Sequence, residues 1–298
     1  MAVRPPTEPN APEGNIHECR TSTPRSPRYR FRQGDLDSGC SAPRFLWGDD
    51  KAGYVSDWIY GSSPKIHMMS FEMNVGARFG NSPDFKTYYN AAETYHCLKG
   101  EFTFHCPETG EVHVLHKGDT LYFPPNTWHW GYNFGSETSH ILESLTPRTE
   151  EAIEAYAVKQ PWLKDIRYGP RDQIGKFTPG GERGTQRAKL VRAGEYLYEI
   201  VGEQKPMRVG IVCATETLTT AIVDLHPSQQ SETIDHPGDK VLYCLAGRMN
   251  VYLPSESPNW WELNPGDSAY IPSGCRHSFF NSSDAMAKFL FSVAPKYR

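Results

Sequence analysis

The sequence contains one sixteen-residue pattern twice, and this internal repeat constrains the fold more than any other feature. Residues 118–133, GDTLYFPPNTWHWGYN, and residues 266–281, GDSAYIPSGCRHSFFN, share the spacing G-D-x4-P-x-(N/G)-x2-H-x3-N. The pattern aligns His129 with His277 at an offset of 148 residues. Upstream, ETYHCLKGEFTF at 93–104 matches KVLYCLAGRMNV at 240–251. The chain is therefore predicted to contain two domains of the same kind.

Each copy is built from short runs of alternating polarity that are separated by proline and glycine turns. This pattern is typical of antiparallel β-structure, and the 24 prolines and 25 glycines of the chain favour many turns over long helices. The exception is TPRTEEAIEAYAVKQPWLKDI at 146–166, where glutamate and alanine predict a helix that Pro161 ends or kinks. We therefore predict an all-β fold of two tandem β-barrels joined by a short helix and a loop.

The predicted domain boundaries follow from these elements. Residues 1–40 are proline-rich and form a disordered or extended arm, and residues 41–147 form the N-terminal barrel. Residues 148–187 form the linker with the helix, and residues 188–298 form the C-terminal barrel.

Composition excludes several classes of function. The formal net charge of −4 provides no basic surface for nucleic acid. No apolar run is long enough to span a membrane, and the N-terminus lacks the apolar core of a signal peptide. Seven cysteines without a CxxC pair indicate neither a disulfide framework nor a zinc knuckle. We expect a cytoplasmic protein that acts on a small molecule.

The repeated motifs resemble those of the cupin superfamily, specifically its two-domain bicupins. The second cupin motif, G-x5-P-x-G-x2-H-x3-N, is matched at every fixed position by residues 266–281. Residues 118–133 match it except that Asn126 replaces the second glycine. The resemblance implies two jelly-roll barrels that hold a metal or a substrate inside the cup, and assembly as a homodimer.

The first cupin motif, G-x5-H-x-H-x3,4-E-x6-G, is incomplete in both copies. The N-terminal copy keeps Glu93 and the later His129, but its two early histidine positions hold Thr87 and Tyr89, or Lys86 and Tyr88 with the longer spacing. The C-terminal copy keeps His236 and His277, with Ile234 and Lys240 at the other two positions. The resemblance implies one divalent metal, Fe, Mn, Ni or Zn, held by Glu93 and His129 or by His236 and His277. The absence of a metal is the alternative.

The N-terminal cup is the preferred site. Strand alternation places Glu93, Tyr95 and Cys97 on the inward face, and a carboxylate, a phenol and an imidazole in one apolar cup can carry out general acid–base catalysis. The catalytic candidates are Glu93, His129, Tyr88, Tyr89 and Tyr95. The candidates for substrate contact are Arg78, Lys86, Thr87, Cys97 and His140. The structural alternative is that Glu93 is a buried carboxylate paired with Arg78 or Lys86.

The C-terminal cup is interpreted differently because Lys240 occupies the place of an anionic ligand. An ammonium group beside a divalent cation would be repelled, and two histidines alone rarely hold a catalytic metal. We favour His236 and His277 as hydrogen-bonded residues that fill the barrel. The alternative is that Lys240 anchors a substrate carboxylate beside them.

Three functions fit this pattern, and we favour an enzyme. The leading hypothesis is metal-dependent, dioxygenase-type chemistry on a small aromatic or carbonyl substrate. The second is a metal-free or weakly metal-assisted lyase, isomerase or cyclase that uses Glu93, His129 and a tyrosine as acid–base groups. The third is a bicupin that binds a ligand without catalysis. Strand alternation also turns Trp128 and Trp130 away from the cup, towards packing or an interface.

Overall fold

The computed structural model describes residues 44–82, 87–148, 188–257 and 259–298, and within these ranges it contains twenty β-strands and no helix. The predicted N-terminal arm, Lys86 and nearly all of the linker with its predicted helix lie outside the described residues. Within the described part of the chain, no helix is long and apolar enough to cross a membrane.

The first repeat folds into two facing antiparallel sheets. Its strands are β1 (Arg44–Asp49), β2 (Gly53–Ser62), β3 (His67–Met73), β4 (Arg78–Phe79), β5 (Ala92–Lys99), β6 (Glu101–Cys106), β7 (Glu111–His116), β8 (Thr120–Phe123), β9 (Trp130–Tyr132) and β10 (Ser139–Thr146). The larger sheet has the order β1-β2-β3-β10-β5-β8, and the smaller sheet has the order β4-β9-β6-β7. Phe71, Phe102, Phe104 and Phe123 are buried between the two sheets.

The second repeat has the same arrangement. Its strands are β12 (Leu197–Val201), β13 (Met207–Ala214), β14 (Thr219–Leu225), β15 (Asp239–Ala246), β16 (Met249–Tyr252), β17 (Trp260–Leu263), β18 (Ser268–Ile271), β19 (Ser278–Phe280) and β20 (Ala287–Ala294). The larger sheet, β12-β13-β14-β20-β15-β18, repeats the order of the first barrel, and the smaller sheet, β17-β16-β19, repeats three of the four strands of its counterpart. The predicted all-β fold of two tandem jelly-roll barrels is confirmed.

One strand connects the barrels unexpectedly. The short β11 (Lys189–Val191) follows the linker, yet it pairs with β8 and extends the large sheet of the first barrel. The first residues of the segment predicted as the C-terminal barrel therefore belong to the N-terminal sheet.

The two large sheets pack against each other through their outer faces. A single apolar cluster contains Trp58, Tyr60 and Leu142 from the first barrel and Val241 and Leu290 from the second. Hydroxyl groups also meet across this interface, such as Ser144 and Ser292 at 2.9 Å. Each large sheet is therefore buried on both faces, so only its inner face is available for a site inside a barrel.

The repeated motif has the same local structure in both copies. The Asn133 side-chain amide donates to the carbonyls of Met73 and Glu137, and Asn281 donates in the same way to Leu225 and Ala285. These bonds tie the loop after each motif to the neighbouring strands.

The single departure from the second motif also has a structural reason. Gly274 has a φ of 72°, and Asn126 at the matching position has a φ of 61°. Asparagine is among the few non-glycine residues that adopt this left-handed conformation readily. The turn is therefore preserved despite the substitution.

Candidate active site

The N-terminal barrel contains a cavity of about 290 Å³ between its two sheets. Most of its wall is apolar or aromatic, with Trp47, Phe71 and Phe79 on one side. Its polar wall is formed by Asp57, His67, Thr87, Tyr89, Tyr95, His129 and Glu143. An apolar cavity with a few converging polar groups is the usual form of a small-molecule site.

The Tyr95 hydroxyl is the centre of a buried hydrogen-bond network. Its oxygen lies 2.6 Å from Glu93 Oε2, 2.9 Å from His129 Nε2 and 3.1 Å from Glu143 Oε1. Glu143 reaches this point because β10 pairs with β5, which places Glu143 directly opposite Tyr95. All four side chains are at least nine-tenths buried. We call these four residues the Tyr95 cluster.

The position of the protons in the Tyr95 cluster follows from the donors and acceptors. His129 Nδ1 lies 3.0 Å from the Thr127 carbonyl, which can only accept, so Nδ1 carries the hydrogen. Burial lowers the pKa of His129 to about 4, so Nε2 is an acceptor at neutral pH. The Tyr95 hydroxyl has one hydrogen for three contacts. The other two contacts therefore require protons from Glu93 and Glu143.

The carboxyl groups have pKa values that agree with this arrangement. Burial raises the pKa of Glu93 to about 8, and burial together with the neighbouring Glu93 charge raises the pKa of Glu143 well above its ordinary value. Both shifts favour the protonated form, in which each carboxyl group can donate to the Tyr95 oxygen. The Tyr95 cluster has no net charge in this state, which suits its apolar surroundings.

Glu93 is buried behind the cavity wall. It belongs to the Tyr95 cluster, and its Oε2 is also 3.4 Å from His129 Nε2, but it does not line the cavity. The groups of the cluster that face the cavity are Tyr95, His129 and Glu143. The geometry thus makes Glu93 a positioning residue that acts through Tyr95 and His129. The alternative in which Glu93 pairs with Arg78 is wrong, because the Arg78 side chain is exposed, and the pairing with Lys86 lies outside the described residues.

A second carboxyl group, that of Asp57, lines the same cavity from β2, two strands away from Glu143 in the large sheet. Asp57 is 6% exposed, and its Oδ1 has no hydrogen-bond partner. Burial raises the pKa of Asp57 to about 7. The Asp57 carboxylate is therefore desolvated, and its Oδ1 receives no hydrogen bond from the described residues.

The free energy of unfolding of Asp57→Asn is expected to exceed that of the wild type by an amount that grows as the pH rises. The raised pKa means that the wild-type folded state retains a proton that the unfolded state releases from about pH 4 upward. Wild-type stability is lost between about pH 4 and pH 7, by up to about 4 kcal/mol, and the variant lacks this loss. Urea denaturation of both proteins at pH 4, 6 and 8 measures the difference. A pH-independent difference would contradict the assignment.

Thr87, Tyr88 and Tyr89 are the described candidates that came from the first motif. Thr87 and Tyr89 line the cavity, and Thr87 Oγ1 donates to Asn81 Oδ1 at 2.6 Å. Tyr88 packs against Trp128 at a ring distance of 4.8 Å and does not line the cavity. Trp128 and Trp130 are also absent from the cavity wall, as strand alternation predicts.

Three candidates for substrate contact lie elsewhere. Arg78 is exposed on β4, so it cannot contact a substrate inside the cup. Cys97 points inward but is fully buried in the core of the barrel, away from the cavity. The expectation that His140 points inward is wrong. Ile141 and Glu143 occupy the inward positions of β10, so His140 faces the second barrel and bonds to Ser70 Oγ at 2.8 Å.

The residues present do not fit the divalent metal site that cupins use. Among the described residues, no three His, Cys, Asp or Glu side chains are arranged to hold a metal ion. In the N-terminal cup, the Tyr95 hydroxyl occupies the point at which Glu93, His129 and Glu143 converge.

In the C-terminal barrel, an amine occupies the corresponding point. Lys240 Nζ lies 2.6 Å from His236 Nε2 and 3.0 Å from His277 Nε2. Both histidines direct Nδ1 to a backbone carbonyl, so both Nε2 atoms accept. Burial lowers the pKa of Lys240 well below its ordinary value. A neutral amine has the two hydrogens that these acceptors need, so the three side chains satisfy one another.

Sequence reasoning missed Glu143 and Asp57. Neither residue occupies a position of the two cupin motifs, so the motifs did not indicate them. Both have the same local signal, which is a carboxyl group at an inward position between apolar neighbours, as in Ile141-Glu143-Leu145. Alternation along β2 and β10 could have found both.

Comparisons with known proteins agree with this architecture. The sequence matches the cupin domain family over residues 81–144 and again over residues 221–293. Among proteins with curated functions, none matches the sequence.

Several solved structures have a similar fold. The oxalate decarboxylase of Lactobacillus farciminis, solved as a formate complex, has a TM-score of 0.61 and 15% identity, covering 93% of this chain and 88% of that chain. A variant of the Bacillus subtilis oxalate decarboxylase has a TM-score of 0.60 and 15% identity, covering 100% and 86%. A glyoxylate-induced protein from Pseudomonas aeruginosa has a TM-score of 0.58 and 13% identity, covering 83% of each chain.

At these identities the structural likeness concerns the fold alone. The repeated family match falls on the two barrels, and each match includes one copy of the histidine motif. The chain thus contains two cupin domains, one in each barrel.

Proposed function

We propose that the N-terminal cavity is the active site of an enzyme that moves a proton on a small aromatic or carbonyl substrate, as an isomerase or a lyase. The observation that carries this proposal is the Tyr95 hydroxyl, which contacts two carboxyl groups and an imidazole at the cavity wall. Such a network can both accept and donate a proton without creating a net buried charge.

The relay has a defined direction. A proton moves from Glu143 to the Tyr95 oxygen while the Tyr95 hydrogen moves to His129 Nε2. The result is a carboxylate on Glu143 and an imidazolium on His129, with the net charge unchanged. Glu143 then accepts a proton from a substrate carbon, and His129 or Tyr95 returns one at a second position. Each of these three groups lines the cavity, so each is within reach of a substrate there.

Glu93 supports the relay from behind the wall. Glu93 Oε2 lies 2.6 Å from the Tyr95 oxygen and 3.4 Å from His129 Nε2, so Glu93 holds both side chains in position without losing or gaining a proton. Trp47, Phe71 and Phe79 make part of the cavity lining apolar, and electrostatic interactions are stronger in apolar surroundings.

The dioxygenase hypothesis has less support from the geometry. It requires a metal bound by Glu93, His129 and a third group, and the Tyr95 hydroxyl lies between these groups. Non-catalytic binding is less favoured because three ionisable groups in one hydrogen-bond network are more than a simple binding pocket requires.

Proton exchange into small molecules is the test of the proposal. The protein, treated with a chelator and then dialysed, is incubated in D2O with a panel of small aromatic and carbonyl compounds. We expect NMR to detect deuterium at carbon in at least one compound. His129→Ala and Tyr95→Phe are expected to reduce the exchange rate by about 10²–10⁴-fold, as loss of a general acid or base does.

The repeat offers a matched control for this experiment. His277→Ala removes the equivalent histidine from the C-terminal barrel and is expected to leave the exchange rate unchanged. Elemental analysis and oxygen consumption are measured on the same samples. Activity that appears only with an added metal and consumes oxygen would favour the dioxygenase instead. Binding of a compound without any exchange would favour a non-catalytic bicupin.

A further inference from the structure

The Asp57 carboxyl group has a position that the proton relay does not explain. It is buried on β2, it lines the cavity, and its Oδ1 has no hydrogen-bond partner. Among the described residues, desolvation is the influence on the pKa of Asp57, and no lysine or arginine of this part of the chain compensates its charge. An uncompensated buried carboxylate is destabilising, and such a group is often kept for binding.

The described residues that line the cavity also carry more carboxyl groups than lysine or arginine side chains. Of the fourteen described residues that line it, two carry carboxyl groups, Asp57 and Glu143, and none is a lysine or an arginine. Five of the fourteen are aromatic: Trp47, Phe71, Phe79, Tyr89 and Tyr95. Aromatic faces attract cations, and a carboxylate among them adds a specific partner. An anion would meet no lysine or arginine among these fourteen residues.

We propose that the substrate of the N-terminal cavity carries a protonated amine, which Asp57 and the aromatic wall bind. The proposal rests on the proposed function, since it takes this cavity as the substrate site, and it adds the chemical class of the substrate. It also separates this chain from the oxalate decarboxylases that it resembles in fold, because oxalate is an anion.

The distance between Asp57 and the Tyr95 cluster suits a small bifunctional molecule. Asp57 pairs with Phe71 on β3, and Phe71 pairs with Ile141 on β10, two residues before Glu143. Two strand spacings separate Asp57 from the strand of Glu143, which is about 10 Å across the sheet. An amine at Asp57 therefore leaves the reacting carbon near Tyr95 and Glu143.

The titratable groups that face the cavity together with Asp57 are His67, Tyr89, Tyr95, His129 and Glu143. The pKa of both tyrosines is raised well above the ordinary value, mainly by burial, and both stay neutral at pH 6–8. The Asp57 charge itself raises the pKa of Glu143, so the two carboxyl groups interact across the cavity. Asp57 is thus the carboxyl group that ionises first as the pH rises through neutrality.

Calorimetric titration with matched probes tests the proposal. The probes are benzylamine with benzyl alcohol, phenethylamine with 2-phenylethanol, and cyclohexylamine with cyclohexanol. At pH 8 we expect at least one amine to bind about tenfold or more tightly than its alcohol, as a desolvated charge pair allows. The preference is expected to fall about tenfold by pH 6, where Asp57 is protonated and the amines remain charged.

Asp57→Asn is the decisive variant, since it keeps the size of the side chain and removes the charge. It is expected to abolish both the preference for the amine and its dependence on pH. If no amine binds, if the alcohols bind as tightly, or if Asp57→Asn keeps the preference, the proposal is overturned.

Tyr95→Phe distinguishes this proposal from the proposed function. It is expected to retain the preference for amines while losing proton exchange. Amine preference in the absence of any exchange would leave the cation site standing and overturn the enzyme. Exchange without amine preference would leave the enzyme standing and overturn the cation site.

Discussion

Tyr95→Phe is expected to lower the free energy of unfolding by about 3–5 kcal/mol, because three buried polar groups lose their common partner. The variant leaves the carboxyl groups of Glu93 and Glu143 and Nε2 of His129 without the hydroxyl that joins them. Each unsatisfied buried group costs about 1–3 kcal/mol, and the 3.4 Å approach of Glu93 to His129 recovers part of this. Urea denaturation at pH 7 measures the loss.

Tyr60→Phe is the matched control for this stability measurement. Tyr60 is fully buried in the same barrel, and its hydroxyl bonds to the neutral Ser70 Oγ at 3.0 Å. Its removal is expected to cost about 1 kcal/mol, as for an ordinary hydrogen bond. Equal losses in the two variants would mean that the Tyr95 cluster is no more than a set of independent contacts.

Lys240→Glu is expected to create a divalent metal site in the C-terminal barrel. The Lys240 amine lies within 3.0 Å of Nε2 of both His236 and His277. A carboxylate at this position would add the third ligand of a two-histidine, one-carboxylate set, which is a known zinc arrangement. We expect about one Zn²⁺ per chain by elemental analysis after dialysis. At a free Zn²⁺ concentration 100 times the dissociation constant, binding stabilises the variant by about 2.7 kcal/mol.

Two further proteins make this measurement specific. Lys240→Gln has a side chain of the same length as Lys240→Glu but no carboxylate, and it is expected to bind no stoichiometric Zn²⁺. Adding His277→Ala to Lys240→Glu is expected to remove the metal again. If Lys240→Gln binds Zn²⁺ as tightly as Lys240→Glu does, a carboxylate at position 240 is not required for metal binding, and the prediction is wrong.

The two barrels have therefore diverged at three matching points. Glu93, Tyr95 and Glu143 of the first barrel correspond to Lys240, Leu242 and Phe291 of the second. The first set forms a polar network beside a cavity, and in the second set Leu242 and Phe291 belong to the apolar core. This difference supports our proposal of acid–base chemistry in the first barrel, and the Lys240 group packs in the core of the second.

The sequence by itself determined the fold, because a repeated motif and strand alternation are local patterns that need no knowledge of the tertiary structure. The same patterns placed Glu93, Tyr95 and His129 near one cup. The tertiary structure decided what these residues can do. It brought Glu143 opposite Tyr95 and placed Asp57 two strands away on the same sheet, because β10 pairs with β5 and with β3, which are far from it in the sequence. It also turned His140 towards the second barrel, because only the packing of two sheets decides which face of a strand meets a cavity.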